Sequence, residues 1–243
     1  MATLQNIFYA LENHFSSAIS LKSHLVGDYA IAYIDGIDAA NFNVLLQRKP
    51  TPEPEIIINS AKEFFAKNNV PSWTYIVPSD LDTPSLQSAL ANHNFVFENT
   101  STALCYSFDK NPNQHPQTLT IQPVEPDHSD WLQILDLAFE GEGETTNQFS
   151  QALQQALQRA KAKGVDMQHF IGVINNQPVA AITLTFLNDC VRIDNVATHP
   201  NHQRLGYASQ MMQFGIKFAQ GKGTQHCLLD ASSKGLANNN QKI

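Results

Sequence analysis

Apolar residues recur at helical spacing over residues 7–19 and again over 56–67, the second run opening after the break between Pro50 and Pro54. Shorter runs at 28–34 and 73–77 read as strands. Past the middle of the chain the pattern is easier to follow. Residues 118–122 predict a strand and 129–139 a helix with Trp131, Leu132, Leu135 and Phe139 on one face. A second helix over 148–163 ends at Gly164. Three strands then follow at 169–174, 179–187 and 190–198. Their connections, Asn175-Asn176-Gln177-Pro178 and Asn188-Asp189, are short enough for hairpins, so an antiparallel meander is expected. After it come a loop, a helix, a strand at 227–231 and a last short helix-like segment. The helix carries Ala208, Met211, Met212, Gly215, Ile216 and Ala219 on one stripe, expected to pack on the sheet.

Composition narrows this picture. The 243 residues are 42% hydrophobic and 15% charged, enough for one large domain or two modest ones. The polar stretch 109–117 is the best linker, which divides the chain into residues 1–110, a linker at 111–117, and residues 118–243. No apolar run approaches the roughly 18 residues a membrane span needs, and Met1 to Asn6 lack a basic leader, so a cytoplasmic protein with no membrane role is expected. Cys105, Cys190 and Cys227 are odd in number and widely spaced, which argues for buried thiols and against a disulfide framework or a metal site. The formal charge of −7 disfavours nucleic-acid binding. It is uneven: up to residue 117 there are 6 basic and 11 acidic residues, and after it 9 basic and 11 acidic, hence −5 and −2. From Cys190 onward Arg192, Arg204, Lys217, Lys222, Lys234 and Lys242 face only Asp194 and Asp230, a locally basic stretch suited to an anion.

The most informative segment is Val196-Ala197-Thr198-His199-Pro200-Asn201-His202-Gln203-Arg204-Leu205-Gly206-Tyr207-Ala208-Ser209, where a strand stops at Pro200 and a helix begins near Leu205. The first amides of a helix have no internal acceptors and lie at the positive end of its dipole, so phosphate oxygens are natural ligands there. Gly206 and Ala208 let such a loop approach an anion closely. No P-loop or dinucleotide-binding glycine pattern is present.

Gln203-Arg204-Leu205-Gly206-Tyr207-Ala208 resembles the Q/R-x-x-G-x-G/A signature of the GNAT acetyltransferases. The strand before it, the amphipathic helix after it, and Leu228-Leu229-Asp230-Ala231-Ser232 with Gly235 follow in GNAT order. The resemblance covers residues 118–243. The first half, through Asn43-Val44, residues 73–79, 86–90 and Asn94-Phe95, resembles the N-terminal half of two-module GNAT proteins without the phosphate loop. It implies an α+β fold, with a mostly antiparallel central sheet flanked by helices, in two GNAT-like modules, the first degenerate and the second short at its C-terminus.

The implied co-substrate is acetyl-CoA, held by Gln203, Arg204, Leu205, Gly206, Tyr207, Ala208 and Ser209 at its pyrophosphate. Val196, Ala197 and Thr198 would pair with the pantetheine amides as an added strand pairs with a sheet edge. The implied activity is direct acetyl transfer to a primary amine, small-molecule or peptide; the alternative is a weak or inactive CoA-binding regulatory protein. Candidate bases are Glu140, Glu142, Glu144, Asp194 and His199, none of which stands out. The three glutamates fit a cationic substrate and plain solvated surface equally well. A tyrosine acid is expected after Ser232, yet no tyrosine follows Tyr207, so the catalytic residues stay unassigned. An exposed sheet edge at the short C-terminus would be covered by the first half of the chain or by a second copy in a homodimer.

Overall fold

The computed structural model describes residues 4–36, 42–108, 117–139 and 146–232. The chain forms two compact units that do not follow chain order: Ser16–Glu98 is one, and Met1–Phe15 with Asn99–Ile243 is the other. Helix α1 (Leu4–Ile19) begins in the second of these and ends in the first.

The Ser16–Glu98 unit is built on strands β1 (Lys22–Val26), β2 (Ala30–Ile34) and β3 (Val44–Gln47), an antiparallel meander, followed by helix α2 (Pro54–Lys67) and strand β4 (Thr74–Ile76) parallel to β3. Helix α3 (Pro84–Asn92) completes it. Strand β1 escapes the sequence pattern because four of its five residues are exposed. Pro54 starts α2 with the backbone angle a helix needs and no wasted donor. The apolar stripe of α2, Ile57, Ala61 and Phe65, then packs on Val26, Ala30, Ala32, Ile34 and Leu45. Phe65 stacks on Trp73 at 4.6 Å. Thr83 caps α3 by accepting the Leu86 N–H at 3.3 Å.

The larger unit carries a six-stranded sheet in the order β5-β10-β9-β8-β7-β6. Its strands are β5 (Ser101–Ser107), β6 (Thr120–Val124), β7 (Met167–Ile174), β8 (Gln177–Leu187), β9 (Cys190–Thr198) and β10 (His226–Ser232). All neighbours are antiparallel except β9 and β10. The expected meander is β7-β8-β9, and Asn175 and Asn176, both left-handed, make its first turn. Helices α4 (Ser129–Phe139) and α5 (Thr146–Ala162) lie between β6 and β7, and α6 (Tyr207–Gly221) between β9 and β10. Helix α4 buries Trp131, Ile134 and Leu135; Leu132 and Phe139, expected on that face, are half-buried.

Helix α6 packs on the sheet through Met211, Ile216 and Ala219. Gly215 lies so close that a Cβ there would sit 3.1 Å from Ile182 and 3.2 Å from Leu184. Ala208, placed on this stripe by the periodicity, is exposed; Gln210 is buried instead. Its Oε1 accepts the N–H groups of Thr118 at 2.8 Å and Leu119 at 3.1 Å and ties α6 to the segment entering β6.

Two features bear on the expected organisation. The outer edge of β10 is taken by β5, a strand that precedes the expected linker, in full antiparallel register from His226↔Ser107 to Ser232↔Ser101. The N-terminal helix α1 belongs to the same unit through Ile7, Phe8 and Leu11, which pack on Cys105, Leu187, Cys190 and Leu228. Residues 111–116 of the expected linker and the helix-like segment past Ser232 lie outside the described residues.

The two units repeat one topology. In each, an antiparallel three-strand meander leads into a helix and then into a strand parallel to the last of the three: β1-β2-β3-α2-β4 in the smaller, β7-β8-β9-α6-β10 in the larger.

Candidate active site

Strand β9 runs parallel to β10 only from Cys190 to Ile193, against His226 to Leu229. Beyond this the two part: β10 continues along β5 to Ser232, and β9 continues along β8 to Thr198. A V-shaped opening therefore begins at Asp194 on one arm and Asp230 on the other. The parting coincides with a bulge in β9. Thr183 of β8 faces Asp194 and Ala181 faces Ala197, so Asn195 and Val196 share the single partner Ile182. Asn195 takes a left-handed backbone, φ 53°, which asparagine tolerates better than most residues.

The bulge decides which peptide groups face the opening. His199 N–H donates to Val179 C=O at 2.9 Å, so by the antiparallel alternation Ala197 turns its N–H and C=O toward β8. Those of Val196 and the N–H of Thr198 turn the other way, onto the free edge. Of the three residues expected to pair with pantetheine, Val196 and Thr198 offer backbone groups and Ala197 is committed to the sheet. Thr198 Oγ1 is a buried atom with no hydrogen-bond partner among the described residues. A ligand lying along this edge would satisfy it.

The strand ends at Pro200, which opens a one-turn 3-10 helix (Pro200–His202) capped by His199, whose Nδ1 accepts the Asn201 N–H at 3.2 Å. Helix α6 starts two residues later than the periodicity suggests. Its cap is Gly206, φ 81°, with no side-chain cap, and the first helical bond runs from Gln210 N–H to Gly206 C=O at 3.1 Å. The amides of Tyr207, Ala208 and Ser209 thus precede the helical ladder. Arg204 is left-handed too, φ 63°, and with Gly206 it turns the loop into a concave row of N–H groups of the kind that cradles anions. A Cβ on Gly206 would touch nothing, so its requirement for glycine is conformational. Gln203, Arg204, Leu205, Gly206, Ala208 and Ser209 are exposed, while Tyr207 is buried under the loop. These are the features a diphosphate group needs.

The local basic charge is smaller than its sequence count. Arg192 turns inward, its Nε 2.8 Å and 2.9 Å from the two Asp194 oxygens, its guanidinium also paired with Glu12 of α1 and lying 4.5 Å over the Phe15 ring. Lys222 pairs with Asp166 at 2.6 Å. Arg204 is left at the cradle itself. Burial pushes the Asp194 carboxyl above the usual carboxylate range, against the pull of Arg192 and helped by nearby Asp230. Of the other candidate bases, Glu140, Glu142 and Glu144 lie outside the described residues, and His199 uses Nδ1 for its turn.

The family model for the acetyltransferase (GNAT) family matches residues 129–240. Over these residues, a little under half of the chain, the protein is similar to the GNAT acetyltransferases. Among solved structures, a GCN5-related N-acetyltransferase from Kribbella flavida has a TM-score of 0.66 at 16% identity, over 95% of this chain and 86% of its own. A conserved protein of unknown function from Staphylococcus epidermidis ATCC 12228 has a TM-score of 0.63 at 13% identity, over 91% and 89%. A tandem GNAT protein from the clavulanic acid biosynthesis pathway has a TM-score of 0.58 at 10% identity, over 87% and 74%. At such identities the likeness establishes the GNAT fold. No curated protein sequence matches the chain.

The smaller unit lacks an equivalent cradle for a readable reason. Its β3-to-α2 connection carries Pro50, Pro52 and Pro54, each without an N–H, and places Glu53 at the cap and Glu55 in the first turn of α2. Carboxylates there repel an anion from the positive end of the helix.

Three residues beside the site escaped the sequence reading: Asn195, Thr183 and His169. Asn195 Nδ2 donates to Thr183 Oγ1 at 3.1 Å, and Thr183 Oγ1 lies 3.1 Å from His169 Nδ1. One signal was available, since Asp194 and Asn195 put two polar residues in succession and break the alternation of the strand, as a bulge does. No group of three or more His, Cys, Asp or Glu that could hold a metal occurs among the described residues. No described helix is long and apolar enough to cross a membrane.

Proposed function

We propose that the protein is an acetyl-CoA-dependent N-acetyltransferase acting on a primary amine by direct transfer. One observation supports this reading above the others. The uncapped, glycine-started end of α6 and the opening between β9 and β10 meet at the end of the same strand, so a diphosphate in the cradle would feed its pantetheine arm along Thr198 and Val196. Acetyl-CoA supplies an activated acetyl thioester. The chain supplies orientation and charge: the cradle amides and Arg204 hold the anionic end, and the Val196 N–H faces the opening where the carbonyl oxygen would gather negative charge. An ammonium has no free pair, so it must lose a proton before attack. Asp194, at the mouth of the opening with a carboxyl raised by burial, is the described candidate placed to take that proton, directly or through water. The new N–C bond forms as the C–S bond breaks, the nitrogen gives up its second proton to water, and the departing thiolate takes one from water in its place. Three free thiols suit the cytoplasm we assign it.

A second reading, CoA binding without turnover, is favoured by one detail: both Asp194 oxygens are held by Arg192. Calorimetric titration should show saturable acetyl-CoA binding, and thiol release should follow with one class among small amines, peptide N-termini, lysine side chains and aminoglycosides. Binding without release selects the second reading, and no binding refutes both.

A further inference from the structure

We infer that Asn195 is a positioning residue, latched through Thr183 to His169, that fixes the β9 bulge and with it the direction of the Val196 N–H; this rests on the transferase reading above. The latch crosses three strands on one face of the sheet. His169 on β7 is the register partner of Thr183 on β8, and Thr183 is the partner of Asp194 on β9. Thr183 is fully buried and His169 nearly so. Trp131 of α4 meets the His169 ring edge-to-face, with centroids 4.9 Å apart.

The latch runs in one direction, from Asn195 through Thr183 to His169. Asn195 Nδ2 can only donate, so Thr183 Oγ1 accepts from it and has its own O–H to give. In the latch that O–H is given to His169 Nδ1, an arrangement that requires Nδ1 to be unprotonated and the ring proton to sit on Nε2. Burial keeps the ring neutral, lowering its pKa to about 4.

A left-handed asparagine in the middle of a strand is held only if its surroundings determine it. Here a neutral, directional and buried relay does so. Its function follows from its place: Asn195 immediately precedes Val196, at the position where β9 leaves β10. Rotating this one peptide would turn the Val196 N–H away from the opening while leaving the cradle, seven to thirteen residues further on, untouched.

Two measurements test the latch. In the wild-type protein at pH 7, imidazole ¹⁵N spectra should show His169 as the Nε2–H tautomer; an Nδ1–H tautomer overturns the proposal whatever the enzyme does. Thr183→Val, which keeps the shape and removes the hydroxyl, and Asn195→Gly, which keeps the backbone freedom and removes the amide, should bind CoA within threefold of wild type. Their turnover of acetyl-CoA with the amine chosen by the panel should fall at least tenfold, and Thr183→Ser should recover most of it. Unchanged turnover, or turnover and CoA affinity lost in proportion, overturns the proposal. Failure of the wild type itself to bind CoA removes the transferase reading instead, and the tautomer then decides the latch alone.

Discussion

Replacing Glu12 by alanine should destabilise the larger unit by about 3 kcal/mol, although the residue lies in the first turns of the chain. Glu12, Arg192 and Asp194 are nearly buried, with side-chain exposures of 9%, 10% and 15%. Removing one partner of a buried pair typically costs about 3–5 kcal/mol, because a charge is left desolvated without compensation. The lower end applies, since Asp194 still holds the guanidinium Nε at 2.8 Å and 2.9 Å and Phe15 still covers it. Against a total stability of roughly 5–15 kcal/mol for a domain, this is a large fraction. Urea denaturation followed by circular dichroism would measure it. The midpoint should fall with little change in slope, because the surface exposed on unfolding is unchanged. Lys161→Ala, which breaks the exposed pair with Glu125, is the control and should leave the midpoint where it was. The triple variant Glu12→Ala, Arg192→Met and Asp194→Asn should be more stable than Glu12→Ala alone, as it removes the stranded guanidinium together with the carboxylate that Arg192 holds. A loss below about 1 kcal/mol for Glu12→Ala, the size of a surface pair, would refute the buried network.

Other outcomes follow from the same geometry. His169 titrates near 6.5 when unfolded and near 4 when folded, so the unfolded chain binds the extra proton between those values; about 3 kcal/mol of stability, present above pH 6.5, should drain away as the pH falls to 4. Chemical denaturation across that range should show this slope, and His169→Gln, which still offers an acceptor but does not titrate there, should flatten it. Gly206→Val forces a β-branched residue to φ 81° and should lower acetyl-CoA affinity at least tenfold by calorimetry while the protein stays folded; unchanged affinity would remove the cradle from the site. Burial pushes the Cys190 and Cys227 thiols up to about 12, so neither should react with iodoacetamide in the native protein at pH 8, whereas half-buried Cys105 should react slowly. Mass spectrometry of tryptic peptides would report all three.

What the sequence made legible was the part governed by local periodicity and turn chemistry. The β7-β8-β9 meander, the stop at Pro200 and the amphipathic α6 each depend on residues close in the chain, and Gly206 declares its own backbone. The pairing of β5 with β10 was not legible, because pairing between residues so distant leaves no trace in local pattern. Strand β1 shows no alternation because it is mostly exposed. Arg192 looked like a free cation for an anionic ligand, and nothing around it in the chain reveals that Glu12 would claim it. The bulge at Asn195 was hidden by its single-residue scale. Its latch joins β7, β8 and β9, and only their register brings the three side chains together.

The placement of α1 and β5 bears on how the protein comes to be made. Residues 16–98 form a continuous stretch and can fold while the ribosome is still adding the rest. The larger unit has no such freedom. Glu12 emerges long before Arg192 and waits for it, and β5 waits with an open edge for β10. Until then β5 presents unpaired backbone groups, the condition under which nascent chains pair with one another. Synthesis rate, and a chaperone able to shield that edge, should therefore govern the yield of active protein more strongly than any single substitution on its surface.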